Sequence, residues 1–269
     1  MRLPAKVNRL VGQAMHDYAM LTEGDRVLVA VSGGVDSLVL IHLLHYWLRK
    51  APVRYWLTAV HVDMEGSVSK PGTSACTIRD ELARKGLELE IIFARRAGSV
   101  AAPDELGKSD KWSDGESCFT CARARRAALF DEAARLDCNK IAFGHHQDDL
   151  IETFLLNLTC AGNISTMLPR QDIFQGRLAL IRPLAYVEKQ NIEQIAQDNG
   201  LNAVPSSCPL AGRTRRDGMQ ALAAEIYRRI PGAKKNIFSA LGNVRNEYLP
   251  TGRQAKQTET RTGPDCNPV

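Results

Sequence analysis

The residues best suited to chemistry stand in Ser32-Gly-Gly-Val-Asp-Ser37 and in three cysteines further along, Cys118, Cys121 and Cys208. The apolar run Val27 to Val31 reads as a buried parallel strand and Leu38 to Leu44 as part of a helix, so the residues between them make a strand-to-helix turn. Such a turn aims backbone N–H groups and the positive end of a helix dipole at one point, where an anion such as phosphate is held. Ala30 closes the strand beside it, Gly33 and Gly34 leave no Cβ between chain and oxyanion, and Ser32 and Ser37 offer hydroxyls. Asp36 would repel phosphate unless a cation lay between, so it either caps the helix or helps to hold Mg²⁺. The string lacks the lysine of Gly-x-x-x-x-Gly-Lys-Ser/Thr, which argues against an ordinary P-loop.

Cys118-Phe-Thr-Cys121 offers two thiolates at a spacing suited to a shared metal or cluster, and Cys208 in Pro205-Ser-Ser-Cys-Pro209 can close on them. Three ligands are one short of structural zinc, whereas a [4Fe-4S] cluster on three cysteines leaves one iron open. A redox dithiol or a zinc half-site are the alternatives at this point. Cys76, Cys138 and Cys160 read as core or surface thiols. The odd total of 7 cysteines, scattered along the chain, argues for reduced thiols or metal ligation over a disulfide scaffold.

Strand and helix segments must alternate to position these groups. After the turn, a helix runs to about Lys50, Trp56 to Val62 is a strand, a helix from Ser74 stops near Gly86, and Glu88 to Phe93 is a third strand. Residues 94–117 read as a long functional loop, and the cysteine pair opens a helix to about Leu136. Lys140 to Phe143 is a fourth strand, followed by Gly144-His-His-Gln-Asp-Asp149 and a helix starting near Asp148; Leu178 to Ile181 is a fifth. Helices are expected over Val187–Asn199, Met219–Arg229 and Lys235–Leu241. The expectation is therefore an α/β fold: a doubly wound, parallel, five-stranded sheet with helices on both faces and ligands at the carboxyl ends of its strands. The segments divide as an amphipathic helix at 1–21, an α/β domain at 22–200, a helical piece with the third cysteine at 201–249, and a disordered polar tail at 250–269. His145 and His146 read as buried partners of backbone carbonyls, and Asp149 as a helix cap or a Mg²⁺ ligand.

With 269 residues the chain can bury one α/β core, and Lys+Arg 35 against Asp+Glu 30 leaves a mild formal charge of +5. The arginines cluster: Arg95 and Arg96; Arg123, Arg125 and Arg126; Arg213, Arg215 and Arg216; Arg228 and Arg229. Each cluster alone reads as a solvated helix face, but several beside the reactive loops suit a polyanion bound through its phosphates. No stretch has the length of a membrane span and Met1 to Met20 does not read as a signal peptide, so a cytoplasmic protein is expected.

Ser32 to Ser37 resembles the signature of the PP-loop ATP pyrophosphatases. With Gly144 to Asp149, Cys118 to Cys121 leading into Arg123-Ala-Arg-Arg126, and Cys208, the chain resembles more narrowly the tRNA 2-thiocytidine synthetases. That resemblance implies an ATP-dependent tRNA sulfurtransferase using ATP, Mg²⁺ and a [4Fe-4S] cluster on Cys118, Cys121 and Cys208. It implies nucleotide contacts from Ala30, Ser32, Gly33, Gly34, Asp36, Ser37, Val60, His61, Gly144 and Asp149, with Asp36, Asp149 and Arg125 in catalytic roles. It further implies tRNA as partner, contacted by Arg123, Arg126, Arg213, Arg215 and Arg216, a sulfur donor such as a cysteine desulfurase, and is compatible with a homodimer. The text of 94–117 and 209–218 departs from the usual synthetase pattern, which leaves the target base open. A PP-loop ligase of the lysidine synthetase type, which needs no cluster, and a non-catalytic tRNA-binding or iron–sulfur carrier are the competing classes.

Overall fold

Valine, leucine and isoleucine occupy both faces of the central strands, and such strands are stable only inside a sheet covered from two sides. The computed structural model describes residues 1–94, 114–205 and 215–249, with only the helical course given for 114–119 and 215. Its strands are β1 (Asp25–Ala30), β2 (Tyr55–Asp63), β3 (Glu90–Phe93), β4 (Lys140–Ala142), β5 (Arg170–Ile173) and β6 (Leu178–Ile181). Its helices are α1 (Ala5–Asp17), α2 (Val35–Trp47), α3 (Thr73–Ala83), α4 (Asp114–Arg135), α5 (Gln147–Leu156), α6 (Lys189–Asn199), α7 (Arg215–Arg229) and α8 (Ala233–Ala240).

The strands form one sheet in the order β3-β2-β1-β4-β6-β5. The five expected strands are present and mutually parallel, and the expected count is corrected to six by β5, which pairs antiparallel with β6. Residues of α1, α2, α3 and α6, among them Val11, Leu40, Ile78 and Ile195, share the larger core on one face. Leu129 and Ala133 of α4 pack on the other face with Leu28, Val60 and Ile141. A third cluster joins Ile151 and Leu155 of α5 to Met219 and Ala223 of α7. Helix α4 begins at Asp114, so the Cys118–Cys121 pair lies within a helix that the composition of 114–117 disguises as loop.

The strand order reverses between β1 and β4, and the crevice outside the carboxyl ends of those two strands is where such sheets bind ligands. Ser32–Ser37 leaves β1 there and Gly144–Asp149 leaves β4 there. Residues 95–113, Cys208, Arg213 and the tail from Pro250 lie outside the described residues.

Candidate active site

The turn after β1 is knitted by its own serines. Ser37 Oγ accepts the Ser32 N–H at 3.1 Å and donates to the Gly34 carbonyl at 2.9 Å, while Ser32 Oγ lies 3.2 Å from Ser37 Oγ. Ser37 is 4% exposed, so its hydroxyl shapes the turn before it can serve any ligand. Gly33 has φ +88°, a left-handed conformation, and a Cβ there would stand 2.7 Å from Ile78 Cδ1. Gly34 caps α2 without a side chain, leaving the first amides of the helix for an anion.

The two loops meet at Gly144. A Cβ at Gly144 would lie 2.9 Å from the Ser37 nitrogen and 2.9 Å from the Asp36 carbonyl carbon, both backbone atoms that cannot swing aside. Gly144→Ala is therefore expected to cost about 1–3 kcal/mol and to weaken nucleotide binding. Denaturant unfolding and an ATP-binding isotherm check both; unchanged values would show that the loops do not abut.

Val60 and His61, expected to meet the nucleotide, stand on the strand beside the turn. The Val60 carbonyl accepts the Val31 N–H at 2.8 Å, and His61 Nδ1 lies 2.8 Å from the Val31 carbonyl, so both brace the strand that launches the turn. Burial lowers the His61 pKa against that hydrogen bond, and the charge of Arg125 lowers it further. Asp63, at the end of β2, accepts the N–H groups of Glu65, Gly66 and Gly72 and fixes the loop into α3. Neither His145 nor His146 bonds a backbone carbonyl among the described residues, a correction to the expectation. His145 Nδ1 receives Arg182 Nε–H at 3.3 Å, and its ring lies 5.6 Å from that of Phe143.

Carboxylates and cations crowd the crevice. Lys189 Nζ stands 2.7 and 2.9 Å from the two oxygens of Asp36. Lys234 Nζ is 2.7 Å from Asp148 and 3.1 Å from Glu188, and Arg216 pairs with Asp149 and reaches Glu152 at 3.6 Å. Asp149 also accepts the backbone N–H of His146 at 2.9 Å, capping α5. The partly solvated Lys189–Asp36 pair, 30% and 29% exposed, contributes on the order of 1 kcal/mol or less to stability, so its weight falls on the charge of the site. Arg182 is 6% exposed, donates to the Leu168 carbonyl, and burial lowers its pKa to about 10.

His146 lies among the carboxylates, with Nε2 3.3 Å from Asp149 and 3.7 Å from Asp36. Burial works against its charged form, but Asp148, Asp149 and Asp36 outweigh that and raise its pKa above the ordinary 6.5. The stabilisation from protonated His146 is thus present below pH 6.5 and is lost as pH rises through the folded-state pKa. His145 behaves oppositely: burial, then Arg182, lowers its pKa to about 3. It stays neutral from 6.5 downward, and the unfolded chain gains a proton that the folded chain refuses. Histidine NMR should show His146 titrating above 6.5 and His145 silent above pH 4; the reverse order would contradict this arrangement.

The cysteine side of the site is carried by α4. Cys121 is a half-buried free thiol, and Arg125 Nη2 lies 3.7 Å from its sulfur. Cys118 lies one turn earlier on α4, with its side chain outside the described residues, as Cys208 is altogether. The chain leading towards Cys208 does reach the site, because the Val204 N–H donates to the Gly33 carbonyl at 2.9 Å. Cys76, Cys138 and Cys160 are free thiols too, and burial raises the pKa of Cys138. Arg123, Arg126 and Arg216 are exposed, and Arg216 also pairs with Asp149 in the crevice. Sequence reasoning missed Lys189, Lys234, Arg182 and Asp63; a lysine just after the buried Leu184–Val187 run was the available signal for Lys189.

The glycine-rich strand-to-helix turn lies at the switch point of a doubly wound sheet, as nucleotide-binding turns do, and the PP-loop domain family matches residues 3–207. The tRNA-cytidine(32) 2-sulfurtransferase of Syntrophotalea carbinolica is 38% identical over 251 residues, covering 92% of each chain. That of Geobacter sulfurreducens is 38% identical over 247 residues and 91% of each chain. Within the PP-loop proteins, the chain belongs to the tRNA-cytidine(32) 2-sulfurtransferase family. A U34-tRNA thiolase, NcsA from Methanococcus maripaludis, solved with its [4Fe-4S] cluster, superposes with TM-score 0.64 over 88% of this chain and 78% of that one; at 21% identity it attests the fold.

Proposed function

We propose that the protein is an ATP-dependent tRNA sulfurtransferase that adenylates a cytidine, position 32 as in its relatives' names, and replaces the base oxygen with sulfur. The observation that carries this is the placement of Cys121 and Arg125 on α4, with Arg125 close enough to His61 for its charge to oppose His61 protonation. This supports reading Cys121 as a cluster ligand beside the PP-loop crevice, in a chain that matches sulfurtransferases over nearly its whole length.

The α2 amides and the Gly33–Gly34 turn hold the phosphates, and cytosine O2 attacks the α-phosphorus as pyrophosphate leaves. Positioning and charge neutralisation do most of that work. Asp36 and Asp149 fit Mg²⁺, because both approach the same point, now met by His146 Nε2, and their combined field already favours a cation there. Mg²⁺ commonly takes one or two carboxylates and completes its shell with phosphate and water. Arg125 steadies the adenylate. Cys118, Cys121 and Cys208 would hold a [4Fe-4S] cluster, which when bound would supply the sulfur chemistry by which AMP is displaced. The target base must leave its stack to reach the crevice, and Arg123, Arg126, Arg213 and Arg215 suit the surrounding phosphates. A cysteine desulfurase or similar donor replenishes the sulfur, in the cytoplasm; no helix among the described residues is long and apolar enough to cross a membrane.

Anaerobically reconstituted protein given ATP, Mg²⁺, sulfide and unmodified tRNA should release pyrophosphate and form 2-thiocytidine. ATP-dependent tRNA modification without sulfur would place the chain with the ligases instead.

A further inference from the structure

The turn after β1 lacks the lysine with which an ordinary P-loop meets phosphate, yet an ammonium group reaches it from 153 residues away in sequence. Lys189 is the first residue of α6, and its Nζ lies 2.7 and 2.9 Å from the two Asp36 oxygens. Its backbone is fixed independently of that contact. The Lys189 N–H donates to Asp148 at 2.9 Å, the Gln147 N–H donates to the Val187 carbonyl at 3.0 Å, and Leu184, Ala185 and Val187 are fully buried beneath it. The side chain is 30% exposed and Asp36 29%, so the pair lines the crevice without being sealed in the core. Among the described residues, each carboxylate of the crevice has its own cation: Lys189 for Asp36, Lys234 for Asp148, Arg216 for Asp149.

Lys234 and Arg216 each hold a second carboxylate, Glu188 and Glu152 respectively, whereas Lys189 pairs, among the described residues, with Asp36 alone. Bringing a divalent cation to Asp36 together with phosphates therefore leaves the Lys189 ammonium as the positive group without a remaining carboxylate, at the mouth of the phosphate-binding turn. We propose that Lys189 is the phosphate-binding cation of this PP-loop, held by Asp36 while the crevice is empty and transferred to the pyrophosphate moiety of the bound nucleotide. This rests on the reading of the crevice as an ATP site. It gives α6 the task that the P-loop lysine performs from within its own loop.

The full-length protein should be titrated calorimetrically with magnesium pyrophosphate and, separately, with MgCl₂. Lys189→Met keeps the backbone N–H that serves Asp148 and is expected to raise the Kd for magnesium pyrophosphate about tenfold or more, while Lys189→Arg stays within about threefold of the parent. If Lys189 merely neutralises Asp36, Lys189→Met would instead bind Mg²⁺ more tightly and leave pyrophosphate affinity unchanged or improved, which overturns the proposal. If the parent protein itself binds no pyrophosphate, the ATP reading fails first. Binding in the parent and equal binding in Lys189→Met sinks this inference alone.

Discussion

Replacing Asp36 with alanine should lower ATP-dependent pyrophosphate release by about a hundredfold or more while leaving the protein folded. The carboxylate is 29% exposed and its ion pair with Lys189 is of the partly solvated kind that adds little to stability, so the fold does not depend on it. Its electrostatic position is another matter. Asp36 and Asp149 flank His146 Nε2, 3.7 and 3.3 Å away respectively, and in the proposed reaction the two carboxylates would hold a divalent cation beside the phosphates. Removing one carboxylate leaves the developing charge on the leaving pyrophosphate poorly neutralised. The melting temperature should move by only a few degrees, which separates loss of chemistry from loss of structure. Pyrophosphate release at the parental rate would show that Asp36 acts as a plain helix-start residue.

Cys121→Ala is expected to abolish sulfur transfer while sparing nucleotide binding. The thiol is half-buried on α4, outside the core clusters, so its loss opens no cavity in the sheet packing. Arg125, 3.7 Å from the sulfur, keeps its place on the helix. The variant should purify without the brown chromophore of the parent, bind ATP with the parental Kd, and form no 2-thiocytidine. Retained thiolation would exclude Cys121 as a cluster ligand and favour a ligase-type enzyme.

Much of the fold could be read from local patterns, because buried parallel strands announce themselves. Val27 to Val31 and Leu178 to Ile181 are unbroken apolar runs, and both lie in the sheet where such runs must lie. Arg170–Ile173 gave no such signal: three of its four residues are polar, it pairs with β6, and it turns back through Phe174 and Gln175 at φ 50° and 59°. Gly176, at φ 83°, suits such an angle, but Phe174 and Gln175 do not, so tertiary contacts must hold them there. One such contact is the edge-to-face packing of Phe174 on Phe130, with ring centroids 5.5 Å apart.

The site divides along the same line. Ser32–Ser37 was legible because its chemistry is local: glycines, hydroxyls and a helix start within one turn. The cations were not. Lys189, Arg216 and Lys234 belong to three helices that return to the carboxyl edge of the sheet only after folding, and beyond the apolar run before Lys189 nothing in their neighbouring residues distinguishes them from solvated charges. Arg216 illustrates the point, since its arginine-rich surroundings suggest an RNA-facing surface while its guanidinium pairs with Asp149 in the crevice. His145 and His146 are adjacent in sequence, but burial and then the Arg182 guanidinium lower the pKa of the first, while three carboxylates outweigh burial and raise that of the second.

The central claim is that the phosphate-binding turn and the cysteine-bearing helix face a single crevice. The most direct test is electron–nuclear double resonance on the reduced, reconstituted protein saturated with ATP. A phosphorus hyperfine coupling on the cluster signal, absent without nucleotide, is the expected result. A cluster spectrum indifferent to fully bound ATP would mean that the two centres are separate and that adenylation and sulfur delivery do not share a site.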